Sequence, residues 1–174
     1  MHSTLRSALA GLILAVPGVV IAAGETDFKD IQVNLNIPER IVVDQLDNID
    51  LSAVAGTDAA GADAFCVGGT GFATYSIQFD SNAGGATNEF LLANVADTSL
   101  TVPYSVGYSN DETATDAASF ADEGVVLPGN LRRDFRCGAG YENAKLFVNV
   151  AANDWQNATG GDYSDTLTVT VVAE

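Results

Sequence analysis

The run Thr166–Val172, TLTVTVV, alternates threonine with leucine and valine. Successive side chains of an extended strand point to opposite faces, so Leu167, Val169 and Val171 share one face and Thr166, Thr168 and Thr170 the other. The β-branched content suits a pleated surface with one side in a core. Shorter versions of this signal recur at 41–43, 49–54, 71–80, 88–95, 99–108, 124–128 and 144–152. In the stretch 71–80, Ala73, Tyr75, Ile77 and Phe79 fall on one face, with Phe72 the apolar exception on the other. Gly, Asn, Asp and Ser clusters separate the runs (SNAGGATN, SNDETATD, NATGGD) and read as turns. About eight short strands joined by polar turns predict an all-β, antiparallel sandwich or barrel. No sustained helical period competes with it; the best helix candidate is 114–124, an Ala-rich surface segment. The small, flexible stretch 56–64 leads toward Cys66.

The first 23 residues read as a secretory signal: Arg6, an apolar run from Ala8 to Ala22, and a small-residue cleavage site after residue 22 or 23. The run is short for a transmembrane helix and carries Gly11, Pro17 and Gly18. The mature chain is thus expected to lack a membrane span and to form one domain with a core of its own. Export also bears on Cys66 and Cys137, an even pair that predicts a disulfide.

Charge and composition exclude several functions. The formal net charge is −16, one unit more negative once Arg6 is removed, so the surface repels nucleic acid and anionic membrane. The only histidine is His2, inside the leader. Histidine-based nucleophilic catalysis and imidazole-bound zinc or copper are therefore out of reach for the mature chain. Carboxylates are plentiful, but no pair stands out as a catalytic acid and base. The acidic stretches 44–50 and 110–116 could hold calcium, yet neither has the glycine and glutamate spacing of an EF-hand loop and both read as solvated loops. Three basic residues, Arg132, Arg133 and Arg136, gather just before Cys137 and read as offsetting local acidic groups. Trp155 reads as packing over one end of the sandwich. The expectation is a protein that is not an enzyme and that binds no cofactor and no metal.

Just after the leader, DIQVNLNIP places Ile31, Val33, Leu35 and Ile37 on one side of an extended segment, and Pro38 ends it. Its pattern fits either a strand of the protein's own sheet or a strand offered to another molecule. Together, DIQVNLNIPERIVVDQL (30–46) and GDYSDTLTVTV (161–171) resemble the N-terminal donor segment and the last strand of chaperone–usher pilus subunits, most nearly the archaic and alternate types that include the spore coat U-like domain. The resemblance covers about 28 residues. It implies an immunoglobulin-like sandwich at 39–174 that is incomplete alone and is completed by a donor strand, with residues 24–38 as the donor extension. It further implies that Ile31, Val33, Leu35 and Ile37 enter a neighbour's groove, and that Tyr163, Asp165, Leu167, Val169 and Val171 belong to the family-like C-terminal strand. The implied partners are identical or related pilus subunits, a periplasmic chaperone and an outer-membrane usher, and the implied location is a cell-surface fibre. Many such subunits end in an aromatic residue; here Ala173 and Glu174 are expected to overhang the strand or to meet a chaperone differently. The competing reading is a self-complete secreted β-sandwich that binds a glycan or a protein, with 31–37 as an ordinary strand.

Overall fold

Eleven strands and one short helix account for the regular structure of the computed structural model, which describes residues 28–84 and 88–174. The signal sequence expected at 1–23 lies outside the described residues. In chain order the strands are β1 (Arg40–Asp44), β2 (Ala59–Thr70), β3 (Thr74–Ser81), β4 (Leu91–Asn94), β5 (Thr101–Pro103), β6 (Ser105–Ser109), β7 (Ser119–Ala121), β8 (Leu127–Leu131), β9 (Ala144–Val150), β10 (Tyr163–Ser164) and β11 (Leu167–Ala173). The helix, α1, spans Ala152–Gln156. Residues 28–35 and Asn36–Glu174 fall into separate units. The first of these contains no strand.

All pairings are antiparallel. One sheet has the order β1-β2-β9-β6-β7, a second β11-β3-β8, and a third β10-β4-β5. The fold class expected from the alternating runs is therefore the one observed, an all-β antiparallel architecture. Its core collects Phe65, Val67, Tyr75, Ile77, Phe79, Val106, Tyr108, Leu146 and Val148 from the long strands. Within it the Tyr75 and Tyr108 hydroxyls lie 2.6 Å apart, and the Tyr75 hydroxyl donates to Asn110 Oδ1 at 2.9 Å. The polar ends of these rings are thus satisfied while the rings fill the core.

Several sequence expectations are corrected. The long strand β2 contains AAGADAFCVGGT, a composition with little strand propensity. It becomes a strand because it is paired along its length, with β9 at Ala59–Phe65 and with β1 at Cys66–Thr70. Small residues are an advantage there: a Cβ on Gly61 would come within 2.5 Å of the Ile49 side chain, which lies over it. Residues 49–54, an apolar run expected as a strand, form none. Instead of a helix, 114–124 supplies the edge strand β7, while the helix occupies Ala152–Gln156 after β9. Strand β8 begins at Leu127, later than the run 124–128 suggested. Phe72, the exception in its alternating run, is buried because it precedes β3 and turns into the core. Ala173 and Glu174 do not overhang: Ala173 pairs with Tyr75, and the Glu174 N–H donates to Thr74 O at 2.8 Å.

Cys66 and Cys137 are joined by a disulfide across a sequence separation of 71. It ties the loop after β8 to β2, where the Gly69 N–H also donates to Phe135 O at 3.1 Å. Next to it the buried Asn143 extends the sheet with its side chain. Asn143 Oδ1 accepts the Val67 N–H at 3.0 Å and Nδ2 donates to Val67 O at 3.1 Å, where β9 has not yet begun.

Candidate functional site: an open groove beside the last strand

Strand β11 shows the alternation expected of it, with Leu167, Val169, Val171 and Ala173 packing toward the core and the threonines exposed. Its inward face is nevertheless only half-buried. The contrast with β9 is clear: there the inward Leu146, Val148 and Val150 are 5%, 9% and 2% exposed. Both β11 and β1 end their sheets, each bonded to a neighbouring strand on one side only among the described residues. Among the described residues β11 has no hydrogen-bonded neighbour beyond β3, and a groove opens beside it.

One wall of the groove is the segment that follows β1. Gln45 takes a positive φ of 64° at the start of it, and the Asp47 N–H donates to Asp63 Oδ2 at 2.8 Å. Beyond these points Leu46, Ile49 and Leu51 face Leu167 and Val169 across a cavity of about 310 Å³, floored by Leu92, Tyr104, Leu146 and Val148. A second cavity of about 740 Å³ continues from the shared Leu51 and Leu92 to Trp155 and Tyr163. The two share Leu51 and Leu92 and together form a furrow of mixed apolar and polar lining that reaches β11 at Leu167 and Val169.

The polar side of the furrow is built from Tyr104 and Asp165. The Tyr104 hydroxyl donates to Asp165 Oδ2 at 2.7 Å, and Asp165 Oδ1 accepts the Ala83 N–H at 3.0 Å. Burial, and then the neighbouring Asp165 carboxylate, push Tyr104 well above the ordinary tyrosine range. It is therefore a fixed hydrogen-bond donor at any physiological pH and does not act as a base. This pair spans 61 positions of sequence and leaves no local signal.

The other expected site residues are placed as follows. Tyr163 pairs with Asn94 in the short β10–β4 ladder and lines the larger cavity. Its hydroxyl donates to Thr159 O at 2.8 Å and so pins the turn before the last strands. Ile31, Val33, Leu35 and Ile37 are 85%, 87%, 82% and 61% exposed and belong to no strand. Four apolar side chains at alternate positions are thus presented to solvent along a segment without regular structure. That exposure has a cost in water and marks an interaction surface when contiguous.

The remaining sequence features have local explanations. Arg132 lies over the Phe72 ring, 5.3 Å from its centroid, and donates to Gly69 O. Arg136 pairs with Asp134 at 3.1 Å and stacks 4.1 Å over Tyr141. The Trp155 indole N–H donates to Thr57 O at 3.2 Å while its ring packs against the core. Asp44 accepts the Gln45 N–H and Asp111 accepts from Thr113, so these acidic loops spend carboxylate oxygens on their own turns. Among the described residues no group of three or more acidic, cysteine or histidine side chains gathers as a metal site, and no helix is long and apolar enough to cross a membrane.

No protein-family model matches the sequence, and no curated protein matches it. A solved structure shares its fold. A chain of the chaperone–tip adhesin complex of CFA/I fimbriae biogenesis matches with a TM-score of 0.55 at 15% identity, over 78% of this chain and 41% of that one. CfaE, the adhesive subunit of the CFA/I fimbria of enterotoxigenic Escherichia coli, gives a TM-score of 0.49 at 14% identity, over 71% of this chain and 38% of that one. The chain thus spans about two-fifths of the length of the structures it matches. The fold is one found in a fimbrial chaperone–adhesin complex.

Proposed function

We propose that the protein is a structural subunit of a secreted adhesive pilus, and that it polymerises by donor-strand exchange. Ile31, Val33, Leu35 and Ile37 of one copy enter the groove beside β11 of the next. The observation that carries this reading is the half-buried inward face of β11 beside an open furrow, in a chain that also exposes an alternating apolar segment. The lengths agree: residues 31–37 and β11 (Leu167–Ala173) are both seven residues long, about 20 Å when extended. An inserted strand finds an unpaired edge on β11 for its backbone and apolar walls for alternate side chains, the two components of β-augmentation.

Fully burying the four side chains contributes about 1.5–3 kcal/mol each, or roughly 6–12 kcal/mol before association and ordering costs. The same groove explains the expected partners. A periplasmic chaperone would shield it before assembly, and an outer-membrane usher would exchange the chaperone for the next subunit. Residues 1–23 would direct export, and the subunit would end in a cell-surface fibre. Deleting residues 24–37 tests the reading. Loss of fibres with retained chaperone capture is the expected result, and unchanged fibre assembly would refute it.

A further inference from the structure

Only Pro38 and Glu39 separate the exposed apolar segment from β1, and β1 lies close to β11, beside which the groove opens. A chain with this layout could in principle turn back on itself and fill its own groove. Resting on the reading above, we infer that the Pro38–Glu39 joint bars this fold-back and so reserves the groove for a second copy of the chain.

Three observations carry the inference. The first is turn chemistry. Two residues between paired strands favour a type I′ or II′ turn, in which the first central residue has a positive φ, because types I and II splay the strands. Proline is locked near −65° and cannot take that place. Among the described non-glycine residues, positive φ occurs at Gln45 and Asn88, not at the joint.

The second is parity. A hairpin closed by Pro38–Glu39 sets Ile37 opposite Arg40, Leu35 opposite Val42 and Val33 opposite Asp44. Directly opposed residues share a face. Arg40 and Asp44 are exposed, whereas Ile41 and Val43 pack against the core. The apolar face of the segment would therefore fall on the side of Arg40, the half-buried Val42 and Asp44, away from the core, and Gln32, Asn34 and Asn36 would turn inward. A one-residue slip corrects the face. It requires a loop that absorbs either Arg40, which pairs with Thr70 in the β1–β2 ladder, or Ile37, one of the four apolar side chains.

The third is anchoring. Thr70 Oγ1 donates to Pro38 O at 2.9 Å. Gly71, at φ +84°, lies so close that a Cβ there would come within 2.7 Å of Glu39 Cα and 3.0 Å of its nitrogen. The joint is held against the turn between β2 and β3, and a reversal at 38–39 would have to give up this seat.

The test replaces Pro38–Glu39 in the full chain with a six-residue Asn/Gly/Ser linker, which removes the fixed φ, the parity restriction and the seat together. Both residues are exposed, so no core side chain is lost. The chain is expressed with its export apparatus and compared with wild type and with the 24–37 deletion. The expected result is at least a tenfold fall in polymer, with a monomer whose residues 31–37 resist protease. Polymer at the wild-type level would overturn the inference, as would an unpolymerised monomer whose segment is cut as fast as in the wild-type monomer. If the deletion abolishes fibres while the linker variant polymerises normally, only this inference fails. If the deletion leaves fibres intact, the donor-strand reading fails with it.

Discussion

Leu35 offers a clean separation between folding and assembly. It is 82% exposed in the free chain, so changing it removes no packing from the folded domain. Surface substitutions of that kind move stability by no more than about 0.5 kcal/mol. In an assembled fibre the same side chain would be enclosed between β11 and the segment after β1. Leu35→Ala then forfeits the transfer of its lost methyl groups and leaves a void, about 3 kcal/mol for a buried leucine. That corresponds to a subunit junction weakened on the order of 100-fold. Leu35→Asp goes further, because an unpaired carboxylate in an apolar groove costs several kcal/mol or forces the strand out. Two measurements check this together: the melting temperature of the purified, chaperone-free domain, and the temperature at which polymers fall apart in detergent. The domain melt should stay within about 2 °C for both variants. Polymers should dissociate earlier for Leu35→Ala and be absent for Leu35→Asp, with chaperone capture intact in both. Leu35→Asp polymers as resistant as wild type would refute the placement of Leu35 in a neighbour's groove.

The other predictions concern the domain itself. Cys66→Ser with Cys137→Ser removes a cross-link over a separation of 71 residues; chain-entropy arguments give a loss of about 4 kcal/mol, readable as a lower denaturant midpoint that reductant reproduces in the wild type. Asn143→Ala orphans both the N–H and the C=O of Val67 in a buried position, which should cost about 2–4 kcal/mol by the same assay; a change under 0.5 kcal/mol would mean that another group takes over the pairing. Tyr75, Tyr104 and Tyr108 are raised above the ordinary tyrosine value chiefly by burial. The folded protein therefore keeps protons that the unfolded chain releases, so this stability is present below pH about 10 and falls as pH rises beyond it. Spectroscopic titration should show these three tyrosines ionising only as the protein unfolds in alkali.

The strands that could be read from the sequence are those whose side chains alternate. β11 alternates because one face meets the core and the other meets water, and in β3 the apolar Tyr75, Ile77 and Phe79 likewise alternate with polar Ser76, Gln78 and Asp80. β2 was not legible as a long strand, since small residues carry no periodic signal and its conformation is imposed by pairing with β9 and β1. Residues 49–54 misled for the opposite reason. Ile49, Leu51 and Ala53 line the cavities, yet among the described residues the run pairs with no strand. The Tyr104–Asp165 bond and the Asn143 bridge join residues far apart in sequence, so only the tertiary structure brings them into view.

The two ends of the chain pose one problem in common. β11 has an inward face that its own domain leaves half-covered, and residues 31–37 have an apolar face exposed in the free chain. Each is unfavourable alone, and each is the length and pattern of surface the other lacks. Were the segment to pair with β1 through a two-residue turn, that turn would need a first residue able to adopt positive φ and a register that sets Leu35 beside Ile41 or Val43. The chain has proline at that turn and the opposite parity. Both choices make sense if the segment must remain available to another copy. They make little sense in a self-complete sandwich, where either would work against closure of the fold.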